Sequence, residues 1–257
     1  MVGFHVVIPA RHSSTRLPGK PLLHIAGKPM VVRVAEQAAK SDAQQIWIAT
    51  DHHAIANVVH EHGFKACMTK EAHASGTDRI AEVVESQGWP DDAIVVNVQG
   101  DEPLIPPSLI NAVARHLHDH SECAMATACH AIHSETDFRN PNIVKTVLDK
   151  NSNALYFSRA PIPYPRDAFA AGTGLPCGLS ALRHIGIYAY RAGFLHAYGK
   201  LAPAIIEQHE SLEQLRVLYH GYKIGVFIAD DAPPGGVDTE EDLQAISKTF
   251  AAEKGSK

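Results

Sequence analysis

Phe4-His5-Val6-Val7-Ile8-Pro9-Ala10-Arg11-His12-Ser13-Ser14-Thr15-Arg16-Leu17-Pro18-Gly19-Lys20 is the stretch whose reading decides the fold. Phe4–Ile8 is a short continuous apolar run, the pattern of a strand buried on both faces. The loop behind it packs Arg11, Arg16 and Lys20 with the hydroxyls of Ser13, Ser14 and Thr15. In an open α/β sheet, ligands bind outside the carboxyl ends of the strands. Cations gathered there call for an anion, and a nucleoside triphosphate suits them. Pro9, Pro18 and Pro21 stiffen the segment and limit where the cations point. That weighs against a merely solvated charged loop.

Outward from this stretch, strand-like and helix-like segments alternate. Met30–Lys40, Ala54–His62, Thr77–Ser86 and Pro107–Leu117 read as helices, and Gln45–Thr50, Ala66–Met68 and Ala93–Gln99 as strands. The rhythm predicts a Rossmann-like α/β fold, with a mixed, mostly parallel sheet and helices on both faces. The second half is less regular. Cys123–Ile132, Ile143–Leu148, Ala154–Arg159, Arg183–Tyr190 and Lys223–Ala229 read as strands, with helices at Ser211–Tyr219 and Thr239–Ala251. Residues 166–180, with three glycines and a proline, read as a mobile surface loop. The expectation is one domain over residues 1–257 with an irregular insertion at about 130–205.

Composition sets limits. The 257 residues are 45% hydrophobic and 20% charged, with a net charge of −5. This is a poor balance for a nucleic-acid binder, whose phosphate partner selects basic faces. The four cysteines form no CxxC pair and read as reduced thiols of a cytoplasmic protein. No basic leader with an apolar core begins the chain, and no apolar run approaches membrane-spanning length. The expectation is a soluble cytoplasmic protein with no membrane or nucleic-acid partner.

Other segments could carry chemistry. A Walker loop would need Gly at position 14 and Ser or Thr after Lys20, where Ser14 and Pro21 stand, and no GxGxxG follows the first strand. Pro21 also makes an immediate helix start less natural. Val95-Val96-Asn97-Val98-Gln99-Gly100-Asp101-Glu102-Pro103 delivers a carboxylate pair to a strand end, a donor set that suits Mg²⁺. Gly100 permits a close backbone approach to a ligand. Asp238, in Gly235-Gly236-Val237-Asp238-Thr239-Glu240, reads first as a helix N-cap, and as a metal ligand only if it converges with Asp101. Ser75-Gly76-Thr77-Asp78-Arg79 reads equally as a nucleotide-binding helix start and as capping by Thr77. His116, His118 and His120 have no third zinc ligand and read as solvated helix residues.

Taken together, several segments resemble the CMP-Kdo synthetase (3-deoxy-manno-octulosonate cytidylyltransferase) family. They are Pro9-Ala10-Arg11 through Gly19-Lys20-Pro21, Ala49-Thr50-Asp51, Ser75–Arg79, Asn97–Pro103, Tyr156–Arg159, His184–Tyr188, Leu212–Arg216 and Gly236-Val237-Asp238-Thr239. The likeness runs from the first strand to the last helix. It implies transfer of CMP from CTP to the sugar acid Kdo with release of pyrophosphate, for lipopolysaccharide biosynthesis. It also implies Mg²⁺ and a homodimer. By the same resemblance, Arg11, Arg16 and Lys20 hold the triphosphate, with Arg16, Lys20 and Asp101 catalytic, and Asp101 and Asp238 hold the metal. Ser75, Asp78 and Gln99 fall where cytidine and sugar meet. Arg159, His184, Tyr188, Glu213 and Gln214 match the sugar-acid pocket, with Arg159 able to take a carboxylate bidentately. His184 and Tyr188, four apart on a strand, should face one side. No dedicated general base stands out. Another sugar nucleotidyltransferase, acting on sialic acid or a sugar phosphate, or a non-catalytic nucleotide sensor, are the alternative readings.

Overall fold

The structure is a computed structural model that describes residues 2–13, 17–73 and 75–255. The first half holds β1 (Phe4–Pro9), a 3-10 turn at Lys20–Leu22, the two-residue strands β2 (His24–Ile25) and β3 (Lys28–Pro29), α1 (Met30–Ala38), β4 (Gln45–Thr50), α2 (His53–Glu61), β5 (Lys65–Met68), α3 (Gly76–Gln87), β6 (Ile94–Asn97) and α4 (Pro107–Asp119). The second half holds β7 (Met125–Ala131), α5 (Glu135–Arg139), β8 (Lys145–Leu148), β9 (Ala154–Ser158), α6 (Arg166–Ala171), β10 (Leu182–Arg191), α7 (Ala192–Tyr198), α8 (Ile205–Glu210), α9 (Gln214–Tyr219), β11 (Ile224–Ala229) and α10 (Glu240–Gly255).

The main sheet runs β11-β7-β10-β6-β1-β4-β5, with the β8–β9 hairpin attached to the far end of β10. Along that path β10 alone runs against its neighbours, while β1 pairs in parallel with both β4 and β6, and β11 with β7. The expected mixed, mostly parallel α/β sheet is what the chain forms. Alternation along β1 explains the two covered faces: Phe4, Val6 and Ile8 pack with α1, α2 and α4, whereas Val7 packs with α3, α7 and α9. Strand order reverses between β1 and β6, because β4 and β5 build outward on one side of β1 and the later strands on the other. Such a switch point leaves a crevice at the strand ends.

Gly100 closes the floor of that crevice. A Cβ there would lie 2.6 Å from the Pro9 carbonyl oxygen. The close approach that Gly100 serves is therefore to the end of β1, and through it the strand carrying Asp101 docks beside the opening loop.

Several expectations need correcting. Pro21 lies within a 3-10 turn that begins at Lys20, because proline at a first helical turn gives up no needed N–H. Residues 166–180 are not a bare loop: they contain α6, and Phe169, Leu175 and Leu179 pack on Phe138, Ile132 and Ile143 as a small separate core. The Arg139 guanidinium lies 3.8 Å from the Phe169 ring centre. Glycine and proline content masked that apolar spacing. The helix expected over Ser211–Tyr219 begins only at Gln214, and α5, α7 and α8 were not anticipated. His116 is not solvated: its ring stacks on His120 at 4.2 Å and its Nε2 is buried beside Gly225. Burial lowers its pKa.

Overpacking by one methyl group costs about 1–3 kcal/mol. Gly100→Ala is therefore expected to lower unfolding free energy by roughly that amount in urea titrations, through the clash with the Pro9 carbonyl.

Candidate active site

A cleft of about 340 Å³ opens at the switch point, lined among others by Arg11, Ser13, Lys20, Ser75, Gln99 and Asp101. Arg16 lies outside the described residues. Lys20 stands at the start of its 3-10 turn, and its Nζ donates to Asp101 Oδ2 at 2.6 Å and to Asp238 Oδ1 at 3.2 Å. The convergence on which the metal reading of Asp238 depended is thus present. Gly236 makes it possible: a Cβ there would sit 3.0 Å from the Asp101 carbonyl oxygen, and Val237 N donates to that same oxygen at 2.8 Å. Asp238 does not act as the α10 cap. Thr239 Oγ1 accepts from Asp242 N, while Asp242 Oδ2 accepts from the backbone N–H of Asp238 and of Thr239.

Two carboxylates held on one ammonium at the mouth of a polar cleft form a hard oxygen donor set. That chemistry fits a divalent cation bridged to substrate phosphates. Beside Asp101, burial of Glu102 and then the Asp101 charge push the Glu102 carboxyl up to about 7.

The second wall is the N-terminus of α3. Ser75, not Thr77, caps this helix: Ser75 Oγ accepts from Asp78 N at 3.1 Å and donates to Asp78 Oδ2 at 2.9 Å. Thr77 is buried, with its hydroxyl 3.2 Å from that of Tyr190. Arg79 is also buried and lines the cleft. Its guanidinium pairs with Asp51 at 3.0 Å and donates to Thr69. Asp51 also accepts from His12 N at 3.1 Å, so one carboxylate ties the opening loop to α3. His73, which pairs with Glu82, lines the cleft as well. Sequence reasoning assigned no role to Arg79, Asp51 or His73. The signal was available in the motif segments that contain Asp51 and Arg79; for His73 only the tertiary contact reveals it.

Gln99 joins the cleft to a third group. Its Nε2 donates to the Gly186 carbonyl at 3.1 Å, on the strand that carries His184 and Tyr188. The β10–β7 register shifts between Ile185 and Tyr188, so two extra residues bulge out of the ladder. Two extra residues leave the facing parity unchanged, and the His184 and Tyr188 rings meet at 5.4 Å, on one side as expected. His184 Nε2 lies 2.9 Å from Thr127 Oγ1, and packing around the ring pushes its pKa down to about 3. Tyr188 donates to Gln214 Oε1 at 3.3 Å, and burial raises its pKa. Glu213 Oε1 accepts from Tyr198 at 2.8 Å.

Arg159 approaches from the β8–β9 side. Its Nε donates to Glu210 O at 2.6 Å, Nη1 to Pro141 O at 3.0 Å and Nη2 to Ser211 O at 3.4 Å. Among the described residues, each terminal nitrogen keeps one N–H, the number a bidentate carboxylate takes. The segment itself is pinned. Glu210 accepts from Ser158 Oγ and Arg159 N, and fully buried Lys145 donates to the carbonyls of Asn140, Ile143 and Arg159.

The comparisons agree with this geometry. A family model described as Cytidylyltransferase matches residues 5–224. A solved structure of CMP:2-keto-3-deoxy-manno-octonic acid synthetase, complexed with CTP, is 42% identical over 97% of this chain and 98% of that one, with a TM-score of 0.88. A cytidylyltransferase from Leptospira borgpetersenii serovar Hardjo-bovis (strain JB197), 16% identical over 98% of this chain and 87% of that one, shares the fold with a TM-score of 0.63. The resemblance read from the motifs is borne out, and the chain belongs to the cytidylyltransferase family of nucleotidyltransferase enzymes.

Proposed function

We propose that this chain activates 3-deoxy-manno-octulosonate (Kdo) with CTP, giving CMP-Kdo and pyrophosphate for lipopolysaccharide biosynthesis. One observation carries the reading: Lys20, Asp101 and Asp238 meet at the mouth of a cleft that Gln99 links to the wall of His184 and Tyr188. A triphosphate site and an acceptor site are thereby adjacent. The named substrates of the 42% identical relative support the choice of nucleotide and sugar acid.

In the reaction, the anomeric hydroxyl oxygen of the sugar bonds to the α-phosphorus of CTP. The bond from that phosphorus to the bridging oxygen breaks, pyrophosphate leaves, and the hydroxyl proton is lost to solvent. Arg11 and Lys20, with Arg16, hold the triphosphate and stabilise charge growing on the departing oxygens. Asp101 and Asp238 would hold Mg²⁺, which draws charge from phosphate oxygens and makes a bound hydroxyl more acidic. Ser75, Asp78 and Gln99 orient the nucleotide where it meets the acceptor. Arg159 takes the sugar carboxylate, and His184, Tyr188, Glu213 and Gln214 receive hydroxyls. Holding both reactants in line supplies much of the rate in such transfers.

The same reading takes residues 1–257 as one catalytic domain acting as a cytoplasmic homodimer. The resemblance to the family supports the homodimer, and four unpaired cysteines support a reducing compartment. Among the described residues no helix is long and apolar enough to cross a membrane.

Pyrophosphate release with CTP and Mg²⁺ is expected with Kdo as acceptor. Equal turnover of N-acetylneuraminate or a sugar phosphate would reassign the acceptor, and no release under any acceptor would remove the catalytic reading. Asp101→Asn is expected to cut turnover by roughly 10³-fold while CTP binding falls far less. Near wild-type turnover at saturating Mg²⁺ would refute the role of Asp101.

His184 supplies a pH test. Its folded pKa of about 3 lies below the 6.5 of a free imidazole, so the unfolded chain binds the extra proton between those values. Its contribution to stability is complete above pH 6.5 and is lost as pH falls toward 3. Its ring protons are expected to show no titration in NMR spectra between about pH 8 and 5. A midpoint near 6.5 would place the ring in solvent.

A further inference from the structure

We propose that Tyr198 is a positioning residue for the acceptor site: its phenolic O–H fixes the Glu213 carboxylate in the orientation that receives a sugar hydroxyl. The inference rests on the reading of Glu213 as an acceptor-site residue. Tyr198 ends α7 and is 1% exposed, yet its O–H reaches Glu213 Oε1 at 2.8 Å. A tyrosine that only filled core volume would need no such partner beyond satisfying its own hydroxyl. The ring cannot turn away. The Arg216 guanidinium lies 5.0 Å from its centre, and Arg216 is itself forked onto Glu207, Nε to Oε2 at 2.8 Å and Nη2 to Oε1 at 2.5 Å. Planar, bidentate pairing leaves that guanidinium little freedom.

The bond to Tyr198 uses one oxygen of Glu213. Among the described residues, no hydrogen bond engages the other. A void of about 10 Å³, the size of a single oxygen-bearing group, is lined in part by Tyr188, Tyr190, Glu213 and Gln214. Among the described residues, the buried Gln214 Nε2 has no hydrogen-bond partner. Glu213 and Gln214 thus bring an acceptor and an unsatisfied donor to the lining of one small void, a pairing that suits a hydroxyl, which donates and accepts at once. Tyr198 sets where the acceptor half of that pair points.

The test compares Tyr198→Phe, Glu213→Gln and the double variant, each assayed for the KM of both substrates and for kcat. Tyr198→Phe keeps the ring and the Arg216 stack and removes only the hydroxyl. It is expected to raise the KM for the sugar acid by about five- to tenfold, as loss of one buried hydrogen bond allows. The KM for CTP should stay unchanged. Because Tyr198 acts through Glu213, the double variant should match Glu213→Gln alone. A raised sugar KM in Glu213→Gln with none in Tyr198→Phe would overturn the positioning role. Additive effects, or an equal rise in the KM for CTP, would make Tyr198 a structural residue and also overturn it. No change in either single variant would remove Glu213 from the acceptor site, and the inference with it.

Discussion

The ammonium of Lys20, held between the carboxylates of Asp101 and Asp238, is the contact on which the site depends. It joins residues 81 and 218 positions apart. Without the cation, two carboxylates brought together would repel, and one would be driven to take up a proton. The ammonium between them offsets part of that repulsion. Two backbone approaches hold the cluster in place, Gly100 on the Pro9 carbonyl and Gly236 on the Asp101 carbonyl. Gly100 excludes a Cβ and Gly236 leaves one little room, so both link this cluster directly to how the strands dock.

The proposed acceptor side is built differently. There the candidate side chains lie on the less regular half of the chain, and each is fixed by neighbours rather than by a strand end alone. The two-residue bulge in β10 keeps His184 and Tyr188 together. Lys145 and Glu210 pin the backbone beneath Arg159, and the pair of Glu207 and Arg216 steadies Tyr198. Buried charge is costly unless its hydrogen bonds are met, and each of these groups has several partners. This spending of buried polar groups around one surface marks where precise orientation matters.

The alternating pattern of the first half was legible because buried strands in a parallel sheet read as short apolar runs, such as Phe4–Ile8 and Ile94–Asn97. The cation loop and the Asn97–Pro103 segment were legible for the same reason: each follows such a run directly. Asp238 was not settled by its own segment, since an acidic residue before a helix reads equally well as a cap. The short helices α5 to α8 escaped notice because five to seven residues give too few turns for a helical period to stand out. The packing of Phe169, Leu175 and Leu179 was hidden by the glycines between them.

By itself the sequence determined the class of sheet, the strand ends at which the candidate site lies, and the family, since these follow from local runs and from motifs contiguous in the chain. The tertiary structure alone decided that Asp238 meets Asp101 on Lys20 and that burial raises the pKa of Glu102. It alone decided, too, that Tyr198 reaches Glu213. The reason is physical. Charge compensation, burial and hydrogen-bond direction depend on which distant segments are pressed together, and only the packed sheet and its helices set that distance.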